Sequence, residues 1–226
     1  MAFFELPARV AEVRSRIQLA VGRGGGGQNV TIVAVTKTHG PDAVRAAWEA
    51  GLHDVGENRV QEALGKMDIV TVPVRWHLIG HLQRNKVKAL DRFAMLHALD
   101  SARLADSVNE LGLSRGKPMH VLVQVNAAAE QTKGGYSVNE IPAESARLAN
   151  MAGLKVQGVM TMARLGADER ELRVTFSSAR DARAVLAADG HTATELSMGM
   201  SSDYEIAVEE GATMVRLGTA LFGERE

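Results

Sequence analysis

From residue 31 onward the chain repeats one unit eight times: a short apolar run, then a stretch with helical spacing. The runs are TIVAVTK (31–37), HDVGE (53–57), VRWHLIG (74–80), FAMLHALD (93–100), PMHVLVQVN (118–126), LKVQGVMTM (154–162), HTATELSMG (191–199) and TMVRLG (213–218). Between and after them lie PDAVRAAWEAG, NRVQEALGKM, LQRNKVKALD, SARLADSVNELG, VNEIPAESARLANM, a long stretch around 168–188, SDYEIAVEEG and TALFG. Short strands that are apolar on both faces belong in a parallel sheet with both faces covered. Strands alternating with helices supply the crossovers such a sheet needs. Eight units predict an α/β fold, a (β/α)8 TIM barrel, with an open doubly wound sheet as the alternative. The eighth run favours closure, because it supplies a strand able to pair with the first.

Residues 4–22 predict an extra N-terminal helix, with Leu6, Val10, Val13, Ile17 and Ala20/Val21 on one face. The following RGGGGQN leads from a helix into a strand. A phosphate-cradling glycine loop runs in the opposite order, so this segment reads as a connector. Gly51, Gly112, Gly153, Gly190 and Gly211 stand where helices hand over to strands and are expected to be helix caps. No linker or low-complexity tract divides the chain, so residues 1–226 read as one domain. It is leaner than the ~250 residues common for a barrel.

Lys plus Arg number 26 against 27 Asp plus Glu, a formal charge of −1. That balance offers nothing to nucleic acid or an anionic membrane. No apolar run approaches the ~20 residues that cross a bilayer. The start lacks the ordered regions of a signal peptide, so a cytoplasmic protein is expected. The absence of cysteine excludes a disulfide scaffold, a thiolate metal site and a cysteine nucleophile. His77 and His81 are four apart, but in a strand running into a loop and with no third ligand, so no metal site is expected.

Barrel sites lie at the C-terminal ends of the strands. There the sequence places Lys37, Glu57-Asn58, His77 to Gly80, Asp100, Asn126, Thr161, Ser197 to Ser201 and Arg216 to Thr219. Lys37 is the most informative. The chain has seven lysines, and most others stand on predicted helices or loops as surface charges. Desolvation at the end of a buried strand lowers an amine's pKa and makes it a nucleophile suited to carbonyl chemistry. The plain alternative is a structural ion pair with Glu57. Lys133 is the other lysine placed near the same rim. At the eighth strand, Arg216-Leu217 is followed by Gly218 and Thr219, which open a short helix. Backbone N–H groups there, with Ser197, Gly199, Ser201 and Ser202 of the preceding loop, form a candidate anion cradle. Strand 8 closes onto strand 1, so an amine and an anion cradle stand side by side. A ligand with an aldehyde at one end and a phosphate at the other would bridge them. Pyridoxal 5′-phosphate fits, and so does a phosphorylated sugar in an imine-forming aldolase.

The motifs AVTKT (34–38), VGENRVQE (55–62), WHLIGHLQRNK (76–86), VNAAAEQTKGG (125–135), GVMTM (158–162), LSMGMSSD (196–203) and VRLGTALFG (215–223) resemble those of the pyridoxal phosphate homeostasis proteins. These look like the barrel domain of alanine racemase standing alone, and the resemblance spans residues 5–224. It implies that Lys37 holds pyridoxal 5′-phosphate as a Schiff base and that Asn58 sits by the ring. Ser197, Gly218 and Thr219 would hold the phosphate with backbone help from Met198, and Arg216 would face the pyridine nitrogen. It further implies a non-catalytic protein of vitamin B6 homeostasis and amino-acid balance, which passes the cofactor to apo-enzymes. A monomer is expected, though the sequence does not fix the oligomeric state. The competing expectation is a pyridoxal-phosphate-dependent racemase or lyase. Racemisation needs acid–base groups on both faces of its substrate, and the chain has only two tyrosines, Tyr136 and Tyr204. Two departures stand out: His39-Gly40-Pro41 where relatives have an earlier proline, and Arg59 where many have an aromatic residue.

Overall fold

The apolar runs form parallel strands in the computed structural model, which describes residues 3–128 and 134–224. The strands are β1 (Thr31–Val35), β2 (Asp54–Glu57), β3 (Arg75–Leu78), β4 (Met95–Leu99), β5 (Met119–Gln124), β6 (Leu154–Met160), β7 (Glu195–Ser197) and β8 (Met214–Leu217). They are hydrogen-bonded in sequence order and close into a barrel, β8 lying beside β1 with Thr31 opposite Met214 and Ala34 opposite Leu217. The barrel fold expected from the eight units is therefore the fold observed, and the open sheet is excluded.

The helices are α1 (Leu6–Gly24), α2 (Pro41–Glu49), α3 (Val60–Met67), α4 (Ala102–Arg115), α5 (Ile141–Leu148), α6 (Glu169–Ala188), α7 (Tyr204–Glu209) and α8 (Thr219–Phe222). The extra helix α1 buries Leu6, Val10, Val13, Ile17 and Ala20 against α7 and α8. Arg23 ties it to α7 through Glu205 and Glu209.

Three sequence expectations change. The stretch after β3 is a 3-10 helix, Arg84–Arg92, rather than an α-helix. Its buried residues Val87 and Leu90, with Phe93 just beyond its end, recur every third position, the spacing that shares one face in a three-fold helix. Gly51, Gly190 and Gly211 do follow helices with positive φ, but Gly112 and Gly153 are not caps. A Cβ on Gly112 would stand 2.0 Å from the Gly153 carbonyl oxygen, so these two glycines let α4 lie against the approach to β6. Finally, β7 shrinks to three residues: after Gly190 the chain crosses outside the sheet, and only Glu195–Ser197 pairs with β6.

Candidate functional site

Lys37 stands in the turn that leaves β1. Strand β1 is buried through Val35, Thr36 is fully buried and Lys37 is half-buried. Thr38 then takes φ 68°, a left-handed conformation that a β-branched residue rarely adopts. The turn is held from below. Thr36 carbonyl oxygen accepts from His39 N–H at 3.1 Å and from Lys66 Nζ at 2.7 Å. Lys66 Nζ also meets Glu57 Oε1 at 2.6 Å and Glu62 Oε1 at 2.9 Å. Glu57 Oε1 accepts from Thr36 Oγ1, and Glu62 Oε1 from the Thr38 N–H, each at 2.5 Å. The Glu57 carboxylate, the alternative partner considered for Lys37, thus carries Lys66 and Thr36. Lys66, read in the sequence as a surface charge on a helix, is buried. Burial pushes the Glu57 carboxyl up, against the hydrogen bonds from Lys66 and Thr36 that pull it down.

Lys37, Asn58, Arg216, Gly218 and Thr219 line one cavity of about 880 Å3 at the C-terminal ends of the strands. That volume lies in the range of small-molecule sites. Arg216 is 4% exposed. Its Nη1 donates to the Ser197 carbonyl and hydroxyl oxygens, both at 2.7 Å, and its Nη2 to the Thr161 carbonyl at 2.9 Å. Burial draws the guanidinium down to about 10, against the opposing pull of Asp203, so it remains a cation at neutral pH.

Ser197 and Met198 do not line this cavity. Ser197 is still paired with β8, opposite Met214, and its hydroxyl is committed inside the barrel to Arg216 and His97. Met198 is buried, and its N–H donates to the Met214 carbonyl. The chain reaches the rim only after Gly199, at φ 93°, where a Cβ would lie 2.7 Å from Ala207 Cβ. Ser201 and Ser202 follow on the cavity wall. Ser201 Oγ accepts from the Ala220 N–H at 3.1 Å, which joins the β7 loop to the start of α8. The hydroxyls at this end of the cavity are therefore Ser201, Ser202 and Thr219.

Across the rim, His81 Nδ1 meets Asp100 Oδ2 at 2.6 Å. His77 points the other way, into the barrel, against Asp54 and His97. Neither Tyr136 nor Tyr204 lines the cavity: Tyr136 donates to Glu144 Oε1 at 2.6 Å, and Tyr204 is buried on α7. Lys133 lies outside the described residues. A second cavity, about 460 Å3, opens at the opposite face of the barrel beside Arg14, His53 and Asp54. The amine, guanidinium and hydroxyls gather at the first. Asp54, Lys66 and His97 had no distinguishing signal in the sequence beyond being polar within or beside apolar segments.

The sequence profile of the family described as alanine racemase, N-terminal domain, matches residues 9–226. The pyridoxal phosphate homeostasis protein of Aquifex aeolicus is 38% identical over 222 residues, covering 96% of this chain and 97% of its own. That of Escherichia coli K12 is 34% identical over 232 residues, covering 98% and 97%. Among solved structures, PipY of Synechococcus elongatus PCC7942 with PLP bound superposes with a TM-score of 0.84 at 34% identity, over 96% of this chain and 100% of PipY. Alanine racemase from Corynebacterium glutamicum shares the fold, with a TM-score of 0.72 at 18% identity, over 93% of this chain and 60% of its own. Matches at this identity along nearly the whole of both chains place this chain in the family of pyridoxal phosphate homeostasis proteins.

Proposed function

We propose that the protein binds pyridoxal 5′-phosphate in the large cavity and serves in its homeostasis, holding the cofactor and releasing it to apo-enzymes. The observation that carries this reading is one cavity wall bearing Lys37, Arg216 and the Ser201–Thr219 end together. The donor set fits the group: an amine for the aldehyde, a fixed guanidinium for the ring nitrogen and hydroxyls for the phosphate. Relatives of matching length carry the homeostasis name, and PipY has been solved with PLP bound.

In this reading Lys37 is the point of covalent attachment. Its amine would hold the cofactor at the aldehyde carbon. Asn58 stands beside the ring. Gly218 and Thr219, with Ser201 and Ser202, hold the phosphate, while Ser197 and Met198 support from beneath. Bound pyridoxal phosphate supplies an electron sink for amino-acid chemistry. Arg216 weakens that sink, because a guanidinium cation donates hydrogen bonds and leaves the ring nitrogen unprotonated. No tyrosine lines the cavity among the described residues to serve as a racemase acid–base pair. In this reading the protein acts without turnover of its own, in the cytoplasm and as a monomer, and contributes to amino-acid balance through the cofactor supply.

Borohydride reduction of the pyridoxal-phosphate-loaded protein followed by peptide mapping tests the attachment, and the pyridoxyl group is expected on Lys37. A label found mainly on Lys133, or spread over surface lysines, overturns it. Incubation with L- and D-alanine, serine and threonine in deuterated water tests the rest. Exchange far below the ~1–10³ s⁻¹ of ordinary enzymes is expected, and turnover in that range makes the protein a racemase or lyase instead.

A further inference from the structure

Five polar residues are joined end to end through the barrel interior. Asp54 Oδ1 meets His77 Nε2 at 2.8 Å, His77 Nδ1 meets His97 Nε2 at 2.8 Å, and His97 Nδ1 meets Ser197 Oγ at 2.9 Å. Ser197 Oγ then accepts from Arg216 Nη1 at 2.7 Å. His97 is on β4 and Ser197 on β7, strands that are not neighbours, so that contact crosses the lumen. Interiors of such barrels are otherwise filled by apolar branched side chains.

With both imidazoles neutral, the ends of the chain fix the position of every proton in it. Arginine only donates, and a carboxylate only accepts. Asp54 is ionised, because hydrogen bonds from His77 and Arg75 outweigh the upward push of burial and hold its carboxyl down to about 2. His77 must then donate from Nε2 and accept at Nδ1. His97 must donate from Nε2 and accept at Nδ1 from the Ser197 hydroxyl. That hydroxyl, having given its proton to His97, presents only lone pairs to Arg216. All donors then point one way, from Arg216 to Asp54. A charged His97 would reverse its contact with Ser197, whose oxygen would then accept from both His97 and Arg216 and leave its own proton without an acceptor along the chain. Full burial, with His77 and the cationic Arg216 beside it, keeps His97 well below its ordinary pKa.

We infer that Asp54, His77 and His97 are positioning residues for Arg216: they lock the Ser197 hydroxyl as an acceptor and so fix the guanidinium in the orientation that meets the ligand's ring nitrogen. The inference rests on the reading of Arg216 given above. Its logic is preorganisation, since a donor already held in place spends little entropy on meeting its acceptor. Asp54 also connects the chain to Arg75 at the far end of the barrel, with contacts of 2.7 and 2.5 Å, so the buried cation is answered by an anion three side chains away.

Two measurements test it. The first needs no substitution: imidazole 15N–1H correlation spectra of the wild-type protein should show His77 and His97 neutral and protonated on Nε2. A charged ring, or a proton on Nδ1 of either, overturns the directed chain. The second compares affinity for pyridoxal 5′-phosphate with that for its 1-deaza analogue, in which CH replaces the ring nitrogen. Wild type should prefer the parent by about 10- to 100-fold, the range of one hydrogen bond to a charged group. His77→Leu, three links from Arg216, and Ser197→Ala should reduce that preference to below about threefold. Thr219→Ala should leave it unchanged. A wild type with no preference defeats the reading of Arg216 and the inference with it. A preference that survives in both chain variants defeats the inference alone.

Discussion

Lys66 Nζ lies 2.7 Å from the carbonyl oxygen of Thr36, the residue immediately before Lys37. A buried ammonium on α3 thus holds the backbone on one side of the candidate attachment lysine, while Glu62 holds the Thr38 N–H on the other. The left-handed Thr38 between them is a strained conformation that persists because both flanks are tied.

Removing Lys66 should be costly. Glu57 is fully buried, and its Oε2 has no hydrogen-bond partner among the described residues, so Lys66→Met strands a buried carboxylate. Breaking one side of such a pair costs about 3–5 kcal/mol. Urea unfolding should show that loss, and adding Glu57→Gln should recover much of it, because the charge needing a partner is gone. Uptake of pyridoxal phosphate should remain slow in the double variant, since the turn carrying Lys37 has lost its tether. Wild-type uptake by that variant would separate the tether from the site.

At the other end of the cavity, Thr219→Ala or Ser201→Ala should weaken pyridoxal phosphate binding about 10- to 100-fold, the loss of one hydrogen bond to a charged group. Pyridoxal, lacking the phosphate, should bind either variant nearly as it binds wild type. Ser197→Ala should behave differently, lowering affinity for both ligands by a similar factor, because its hydroxyl meets Arg216 rather than the cavity. Isothermal titration with the two ligands checks all three, and equal losses for both ligands in Thr219→Ala would remove the phosphate role.

Much of this arrangement was legible in the sequence, for identifiable reasons. Eight apolar runs and a final strand able to close onto the first were enough for the barrel. Lys37 and Arg216 stand at strand ends where a charged residue needs a reason, and both line the cavity. The interior chain was hidden because these strands are buried on both faces, so a polar residue does not reveal its side by alternation. Only the register does: Gly56 pairs with His77 and His77 with Met95, which puts Asp54, His77 and His97 on the same side of three successive strands. Lys66 was hidden by its setting, a single lysine on an amphipathic helix, where a solvated charge is the ordinary outcome. The sequence does not show that β7 gives way to the rim at Gly199, which leaves the Ser197 hydroxyl on Arg216 and His97.

That bend gives a sharper prediction. Gly199 has φ 93°, and a Cβ there would come within 2.7 Å of Ala207 Cβ and 2.9 Å of Tyr204 Cα. Gly199→Ala should therefore displace the loop bearing Ser201 and Ser202 away from α8. The variant should lose thermal stability and also bind pyridoxal phosphate more weakly, whereas Gly65→Ala, at a helical position with open space around it, should do neither. Thermal unfolding and ligand titration on the two variants decide this.

The acid limb of stability should carry the signature of Asp54. Burial alone would raise its carboxyl, but hydrogen bonds from His77 and Arg75 hold it down to about 2 in the folded protein, from an ordinary 3.8. A carboxyl depressed on folding contributes stability that is fully present above its unfolded pKa and is lost as pH falls through the folded one. The contribution is about 2 kcal/mol at neutral pH, at ~1.4 kcal/mol per pH unit. Chemical denaturation at a series of pH values should show stability falling between about pH 4 and pH 2 in wild type. Asp54→Asn should be less stable at pH 7 and should lose that part of the slope, because the amide has no proton to take up. The bidentate contact with Arg75 is solvent-facing on the arginine side, where the side chain is 64% exposed, while His77 is buried. Arg75→Gln should therefore reduce the slope only in part, leaving the His77 contact to supply the rest. A steep limb unchanged in Asp54→Asn would assign acid sensitivity to another carboxylate and deprive the interior chain of its anionic end.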